Sequence, residues 1–242
     1  MTDLRVRAGG TEPPVVLLLH GLGATGEVWS DLTDLLGPAA WIAPDLPGHG
    51  GSAALPAYSF AAVAEAVAGL VDPRGTVIVG HSFGGVIGLH LAGRPGVRAV
   101  IGLGIKVAWT ADELAKAAAL AARPATVFET RDEAVRRHLR VAGLDGLVDP
   151  AGPGLDAAVV RDGDGWRPTF DPRAFGVGEP GLAGLLATAP VPVVLARGEH
   201  DPMVSAAHLA ALVPGPVDLP GLGHNAHAED PAALLPLLTP YR

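Results

Sequence analysis

The sequence predicts an α/β fold: a mostly parallel, doubly wound sheet carrying a mainly helical cap as an insertion. Three observations predict it. Short apolar runs rich in branched side chains recur at residues 15–19, 76–79, 97–103 and 191–196, the pattern of strands buried on both faces. Stretches of helical length and spacing lie between the early runs, and alternating strands and helices close most simply as a parallel sheet with right-handed crossovers. The rhythm then stops between about Lys106 and Pro190, where no convincing core strand occurs.

Taken in order, Leu4-Arg5-Val6-Arg7 alternates with period two and reads as a short edge strand, closed by a Gly9-Gly10 turn. Pro13-Pro14 introduces the central strand at 15–19, which ends in His20-Gly21-Leu22-Gly23-Ala24. Flexible glycines directly after a central strand let backbone N–H groups turn toward the carboxyl edge of the sheet, where ligands of such folds bind. Residues 25–36 have helical spacing, with Val28, Leu32, Leu35 and Leu36 on one face and Trp29 beside it. A strand at 40–44 runs into Asp45-Leu46-Pro47-Gly48-His49-Gly50-Gly51-Ser52, read as a tight connection in which Asp45 bonds backbone amides. An alanine-rich helix at 58–71 leads to the strand at 76–79.

That strand is followed at once by Gly80-His81-Ser82-Phe83-Gly84-Gly85 and then by a segment with helical packing. Strand, sharp turn and helix around G-x-S-x-G is the context of a nucleophile elbow. A serine at the tip of so tight a turn needs neighbours without bulk two positions away, and Gly80 and Gly84 meet that need. The amide of Phe83 and the Leu22 N–H are then the candidate oxyanion donors.

After the strand at 97–103, Thr110-Ala111-Asp112-Glu113 and Thr130-Arg131-Asp132-Glu133 both read as capping boxes. The two helices end near Arg123-Pro124 and Gly143, and a loop-rich segment through Trp166 and Phe175 follows. The expected organisation is a core of residues 1–105 and 191–242 with a helical cap at 106–190. In the last part, a strand at 191–196 ends in Arg197-Gly198-Glu199-His200-Asp201-Pro202 and Ser205 caps a helix at 206–213. A strand at 216–219 precedes Gly221-Leu222-Gly223-His224, and Asp230 caps a closing helix with Pro231 at its first position.

Composition excludes several classes. With 242 residues, 49% hydrophobic and 17% charged, the chain suits one globular domain. A net charge of −8 without a basic cluster argues against nucleic acid as partner. The absence of cysteine rules out disulfides, thiolate metal sites and a cysteine nucleophile. Met1-Thr2-Asp3-Leu4-Arg5 lacks the apolar core of a secretory signal, and the longest aliphatic run is far too short to cross a bilayer, so a cytoplasmic location is expected. No H-x-H, H-E-x-x-H or P-loop pattern occurs, so neither a metal nor another cofactor is expected.

Three candidates therefore follow three separate strands in the order serine, acid, histidine: Ser82, Asp201 and His224. A serine hydroxyl needs a base to take its proton, a neutral imidazole supplies one, and a carboxylate on the other ring nitrogen fixes the tautomer. His227 is the competing base. His224 is preferred because the glycines before it free its loop to reach Ser82, whereas His227 lies against the closing helix. For the acid, the setting Gly198-x-x-Asp201-Pro202 is preferred to Glu199.

These residues resemble the α/β-hydrolase superfamily, in particular its capped, esterase-like members. The likeness rests on His20-Gly21, on Asp45-Leu46-Pro47-Gly48-His49-Gly50, on the elbow at Ser82, on Gly198-Glu199-His200-Asp201 and on Gly223-His224. It implies the α/β-hydrolase fold with the cap inserted after the sixth family strand, and a serine hydrolase acting on a small acyl substrate through an acyl-enzyme. The family usually begins with two leading strands; only one is visible here. It also includes lactonases, carbon–carbon hydrolases and cofactor-free lyases, and a non-catalytic ligand receptor on the same fold is the reading from another class. Trp29, Lys106, Trp109 and Trp166 are candidate substrate-binding residues. Lys106 meets either a substrate carboxylate or solvent at the cap hinge, and Trp109, Phe128, Trp166 and Phe175 line either an apolar pocket or the cap's own core.

Overall fold

Unbroken aliphatic runs become the middle of the sheet, and the residues between them decide which strands neighbour which. The structure is a computed structural model and describes residues 2–242; of the N-terminal pentapeptide, Met1 lies outside the described residues. Its first half contains β1 (Val6–Gly9), β2 (Glu12–Leu19), α1 (Ser30–Leu35), β3 (Ala39–Pro44), α2 (Phe60–Val67), β4 (Thr76–His81), α3 (Phe83–Leu91) and β5 (Val97–Leu103). Next come α4 (Ala111–Ala121), α5 (Arg131–Ala142), β6 (Val159–Asp162), β7 (Gly165–Pro168) and α6 (Leu182–Thr188). The chain closes with β8 (Val193–Gly198), α7 (Ala206–Ala210), β9 (Val217–Leu219), α8 (Ala226–Glu229) and α9 (Leu235–Leu238).

Seven strands form one sheet in the order β1-β3-β2-β4-β5-β8-β9, parallel throughout except that β1 runs antiparallel to β3. Period-two alternation along β2 and β4 supplies both faces. Leu17, Leu19 and Ile78 join a core with α2 and α3, while Val16, Leu18, Val77 and Val79 join a core with Trp29, Leu234 and Leu238 on the other side. The chain leaves β2 toward β3 on one side and later returns to β4 on the other. The ends of β2 and β4 thus flank the switch point where such sheets bind ligands. The single leading strand that the sequence shows is the single strand β1 at the edge.

Several sequence expectations are modified. Leu35 is 45% exposed, whereas Leu32 and Leu36 are buried. Residues 26–29 form a 3-10 turn before α1, and its three residues per turn shift the helix phase that uniform spacing assumed. Within 106–190 no strand joins the main sheet, but β6 and β7 form a small antiparallel hairpin that was not anticipated. Gly163 and Asp164 make its two-residue turn, and Gly163 takes the positive φ (+57°) such turns require. Both capping boxes form, with Thr110 and Thr130 accepting from the Glu113 and Glu133 amides. Ala134, Val135, Leu139, Leu155 and Val159 form an apolar cluster that also takes in Ala24 and so seats this segment on the core. Among the described residues no helix is long and apolar enough to cross a membrane.

Candidate active site

Ser82 sits between β4 and α3 at φ +47°, ψ −109°, the one non-glycine residue with positive φ among those described. Its N–H donates to the Leu103 carbonyl at 2.7 Å, which ties the strained turn to β5. A Cβ on Gly80 would lie 2.3 Å from the Gly84 carbonyl oxygen, and one on Gly84 would lie 2.2 Å from that of Leu19. Neither position has room for any side chain, as the steric rule for G-x-S-x-G requires.

Asp201 follows β8 and His224 follows β9. The His224 Nδ1–H donates to Asp201 Oδ2 at 2.8 Å, and Asp201 Oδ1 accepts the Met203 N–H at 2.8 Å. Both carboxylate oxygens of this buried side chain are therefore occupied. Because a carboxylate only accepts, Nδ1 carries the proton in neutral His224, and Nε2 is left with a lone pair. Ser82 and His224 line the same cavity.

Three supporting groups went unrecognised in the sequence. The Glu229 carboxylate accepts the N–H of Gly223 at 2.6 Å and of Asn225 at 3.2 Å, gripping the backbone on both sides of His224. Buried Arg197 donates to the carbonyls of Glu199 (3.3 Å) and Val204 (3.1 Å), bracketing the Asp201 loop. Asn225 Nδ2 donates at 2.9 Å to the carbonyl of Gly143, the left-handed cap of α5, and so joins the His224 loop to the inserted segment. A signal for the first existed: an acidic residue in the first turn of a helix faces the free amides that precede it.

Buried histidines frame the opposite wall. Leu46 N–H donates to His20 Nε2 at 2.8 Å, so Nδ1 carries the proton and donates to the Gly21 carbonyl at 2.8 Å. In a planar trans peptide this fixes the Leu22 N–H in the opposite direction. The N–H groups of Leu22 and Phe83 have no hydrogen-bond partner among the described residues, and both residues line the cavity. His81 donates from Nε2 to the His224 carbonyl at 3.0 Å, while its ring lies 2.5 Å from where a Cβ on Gly21 would stand. Gly21 is thus required for close approach. Burial, with the neighbouring His227 and His224 adding to it, holds His81 well below the usual imidazole range. Burial likewise lowers His20 to about 4 and His227 to about 3. His227 is enclosed between the rings of Trp29 and His81, 4.7 and 4.3 Å away, and lies outside the cavity lining.

The cavity has a volume of about 570 Å³ and apolar walls that include Phe60, Val86 and Ile105. Lys106 and Trp109 lie on its lining. Lys106 Nζ pairs with Glu113 and lies 4.8 Å from the Trp109 ring centroid. The hydrogen bond from Lys106, with that from the Thr110 amide, lowers Glu113 to about 2. Trp29 and Trp166 are placed elsewhere. Trp29 is fully buried beneath the sheet, and Trp166 in β7 pairs with Phe128 and stacks under Arg161, within the inserted segment's own packing. An aromatic on a helix or hairpin face reads the same in sequence whether it meets a pocket or a core. Asp45 accepts from the amides of Gly26 (2.8 Å) and Gly51 (2.9 Å) and from Arg5, in the structural role its turn implied. Among the described residues no group of three or more His, Cys, Asp or Glu could hold a metal.

Comparison with known proteins agrees with this architecture. A sequence model of the alpha/beta hydrolase family matches residues 16–237. The chain is 36% identical over 179 residues to Lipase LipV of Mycobacterium tuberculosis, a match covering 68% of this chain and 66% of the lipase. It is 42% identical over 81 residues to a pimeloyl-[acyl-carrier protein] methyl ester esterase of Neisseria meningitidis serogroup A, covering 33% of this chain and 25% of that enzyme. The chain thus spans less than two thirds of either relative. Among solved structures, E-2-(acetamidomethylene)succinate hydrolase superposes with a TM-score of 0.80 at 26% identity, covering 99% of this chain and 95% of that one.

Proposed function

The chain belongs to the alpha/beta hydrolase family, and on that footing we propose that it is a serine hydrolase cleaving carboxylic esters of small acyl substrates through a Ser82–His224–Asp201 triad. The observation that carries this reading is the 2.8 Å His224–Asp201 hydrogen bond beside a strained Ser82 that lines the same cavity. His224 Nε2 takes the Ser82 proton as Oγ attacks the ester carbonyl. The developing oxyanion is held by the Leu22 and Phe83 N–H groups, the second strengthened by its place at the N-terminus of α3. Collapse breaks the acyl–oxygen bond, and the leaving alkoxide takes the proton from His224. Water, deprotonated by the same imidazole, then attacks the acyl-enzyme; the tetrahedral adduct expels Ser82 Oγ, which recovers its proton and releases the acid. Residues 106–190 act as the cap that walls the acyl chain. The lipase and the methyl ester esterase among the relatives support an ester as substrate.

Ser82→Ala is expected to lower kcat on an activated ester by a factor on the order of 10⁶ and to abolish labelling by a fluorophosphonate. Wild-type turnover by that variant overturns the mechanism. A parallel screen of acyl chain lengths, lactones and carbon–carbon substrates ranks esters first if the reading is right.

A further inference from the structure

Ten lysines and arginines lie in residues 106–190. Five are engaged. Lys106 pairs with Glu113, Arg131 with Asp156 at 2.8 Å, Arg167 with Asp162 at 2.8 Å and Arg173 with Asp171 at 2.6 Å, while Arg161 lies 5.1 Å over the Trp166 ring. The other five, Lys116, Arg123, Arg136, Arg137 and Arg140, are exposed and have neither an ion-pair nor a hydrogen-bond partner among the described residues. All five belong to α4, to α5 or to the two residues just past α4.

Their placement is not that of a solvated face. Lys116 and Arg140 line the cavity that holds Ser82. Arg123 and Arg137 line a second, smaller cavity of about 110 Å³, which shares Leu120, Val141 and Phe175 with the first. Leu120, Val141 and Phe175 thus wall both cavities, with Lys116 and Arg123 on the α4 side and Arg137 and Arg140 on α5. The helix macrodipole favours a cation in the last turn, which accounts for Arg140 but not for Lys116 in the middle of α4. Composition does not account for it either, since the chain carries a net charge of −8. Two acids share the cavity lining: Glu113, which is held by Lys106, and Glu179. With Glu113 neutralised by Lys106, the cations on this lining outnumber the one remaining acid, and concave apolar walls with an excess of one charge concentrate the opposite charge.

We propose that these cavities receive an anionic group at the far end of the substrate's acyl chain, so that the preferred substrates are esters bearing a terminal carboxylate or phosphate. The proposal rests on Ser82 as the nucleophile, and it names the substrate class that nucleophile serves. The ester bond sits at Ser82, the aliphatic chain lies along Phe60, Val86 and Leu114, and the anion sits between Lys116 and Arg140, with Arg123 and Arg137 extending the site for longer chains.

The test compares three 4-nitrophenyl esters of equal acyl length, ending in a carboxylate, a phosphonate or a neutral methyl ester. At low ionic strength the better anion is expected to exceed the neutral ester roughly tenfold in kcat/KM, the size of two partly screened charge contacts. The excess should shrink in 0.5 M salt as screening sets in. In K116Q/R140Q the anionic-to-neutral ratio falls to about one, whereas Arg136→Gln, on the same helix but outside both cavity linings, keeps it. Preference for the carboxylate alone or the phosphonate alone identifies the anion and supports the site. Equal turnover of all three, or a ratio that survives K116Q/R140Q, overturns it. A failure of the nucleophile shows separately, as neutral-ester hydrolysis that persists in Ser82→Ala.

Discussion

Five histidines in this protein, His20, His49, His81, His138 and His227, are buried, and together they set how it responds to acid. Desolvation is the leading cause in each. It lowers His20 and His138 to about 4, His49 and His227 to about 3, and His81 well below its usual range. In the unfolded chain all five titrate near their ordinary value of about 6.5. Between that value and their folded values the unfolded state binds more protons, so stability rises with pH and is lost on acidification. Moving from pH 7 to pH 5 protonates an unfolded histidine almost completely while the buried one stays neutral, a cost of about 2 kcal/mol each. For the four with assigned values this reaches about 7–8 kcal/mol, against a typical total stability of about 5–15 kcal/mol. Urea unfolding followed by tryptophan fluorescence at the two pH values measures it directly, with fully buried Trp29 as a reporter. His138→Leu removes one titrating group from the cavity side of α5 and is expected to reduce the acid loss by about 2 kcal/mol. A stability at pH 5 within about 1 kcal/mol of that at pH 7 refutes the assignment of neutral, desolvated histidines.

Two further substitutions test the groups that hold the site. Glu229→Gln replaces one acceptor of the Gly223 and Asn225 amides with a donor, so one N–H beside His224 loses its partner at a cost of about 1–3 kcal/mol. If Glu229 positions the His224 loop, kcat on an activated ester falls about tenfold with KM retained; a change in melting temperature with kcat intact assigns it stability alone. Gly84→Ala forces a Cβ against the Leu19 carbonyl and is expected to destabilise the fold by about 3 kcal/mol, measured by urea unfolding. Gly69→Ala, where a Cβ meets nothing within 4 Å, is the control and should be neutral or slightly stabilising.

What the sequence discloses and what it withholds divide along the range of the interaction. The elbow, the two capping boxes, the left-handed Gly143 and the Asp230 cap are rules about residues within four positions of one another, and each appears in the structure where the residues put it. The choice of His224 over His227 was argued from the glycines before it. The coordinates add the reason His227 is set apart: it is clasped between Trp29 and His81, partners about 200 and 150 positions away, which no local pattern contains. Trp29 differs for a local reason, since the 3-10 turn at 26–29 breaks the uniform helical phase and Trp29 is fully buried in the core. The β6–β7 hairpin had a turn signal at Asp162-Gly163-Asp164-Gly165, but its four-residue strands carry charge and little apolar alternation. The cations lining the two cavities beside α4 and α5 are the extreme case. They are ordinary surface residues in sequence, and they become distinctive only because Arg131 finds Asp156, Arg167 finds Asp162 and Arg173 finds Asp171, leaving four others on the walls of two adjacent cavities. Bond-making chemistry depends on short, strained, local geometry and is therefore written where a reader can find it. Which long side chains remain unpaired, by contrast, is decided only when the inserted segment has packed, and the proposed substrate preference rests on that.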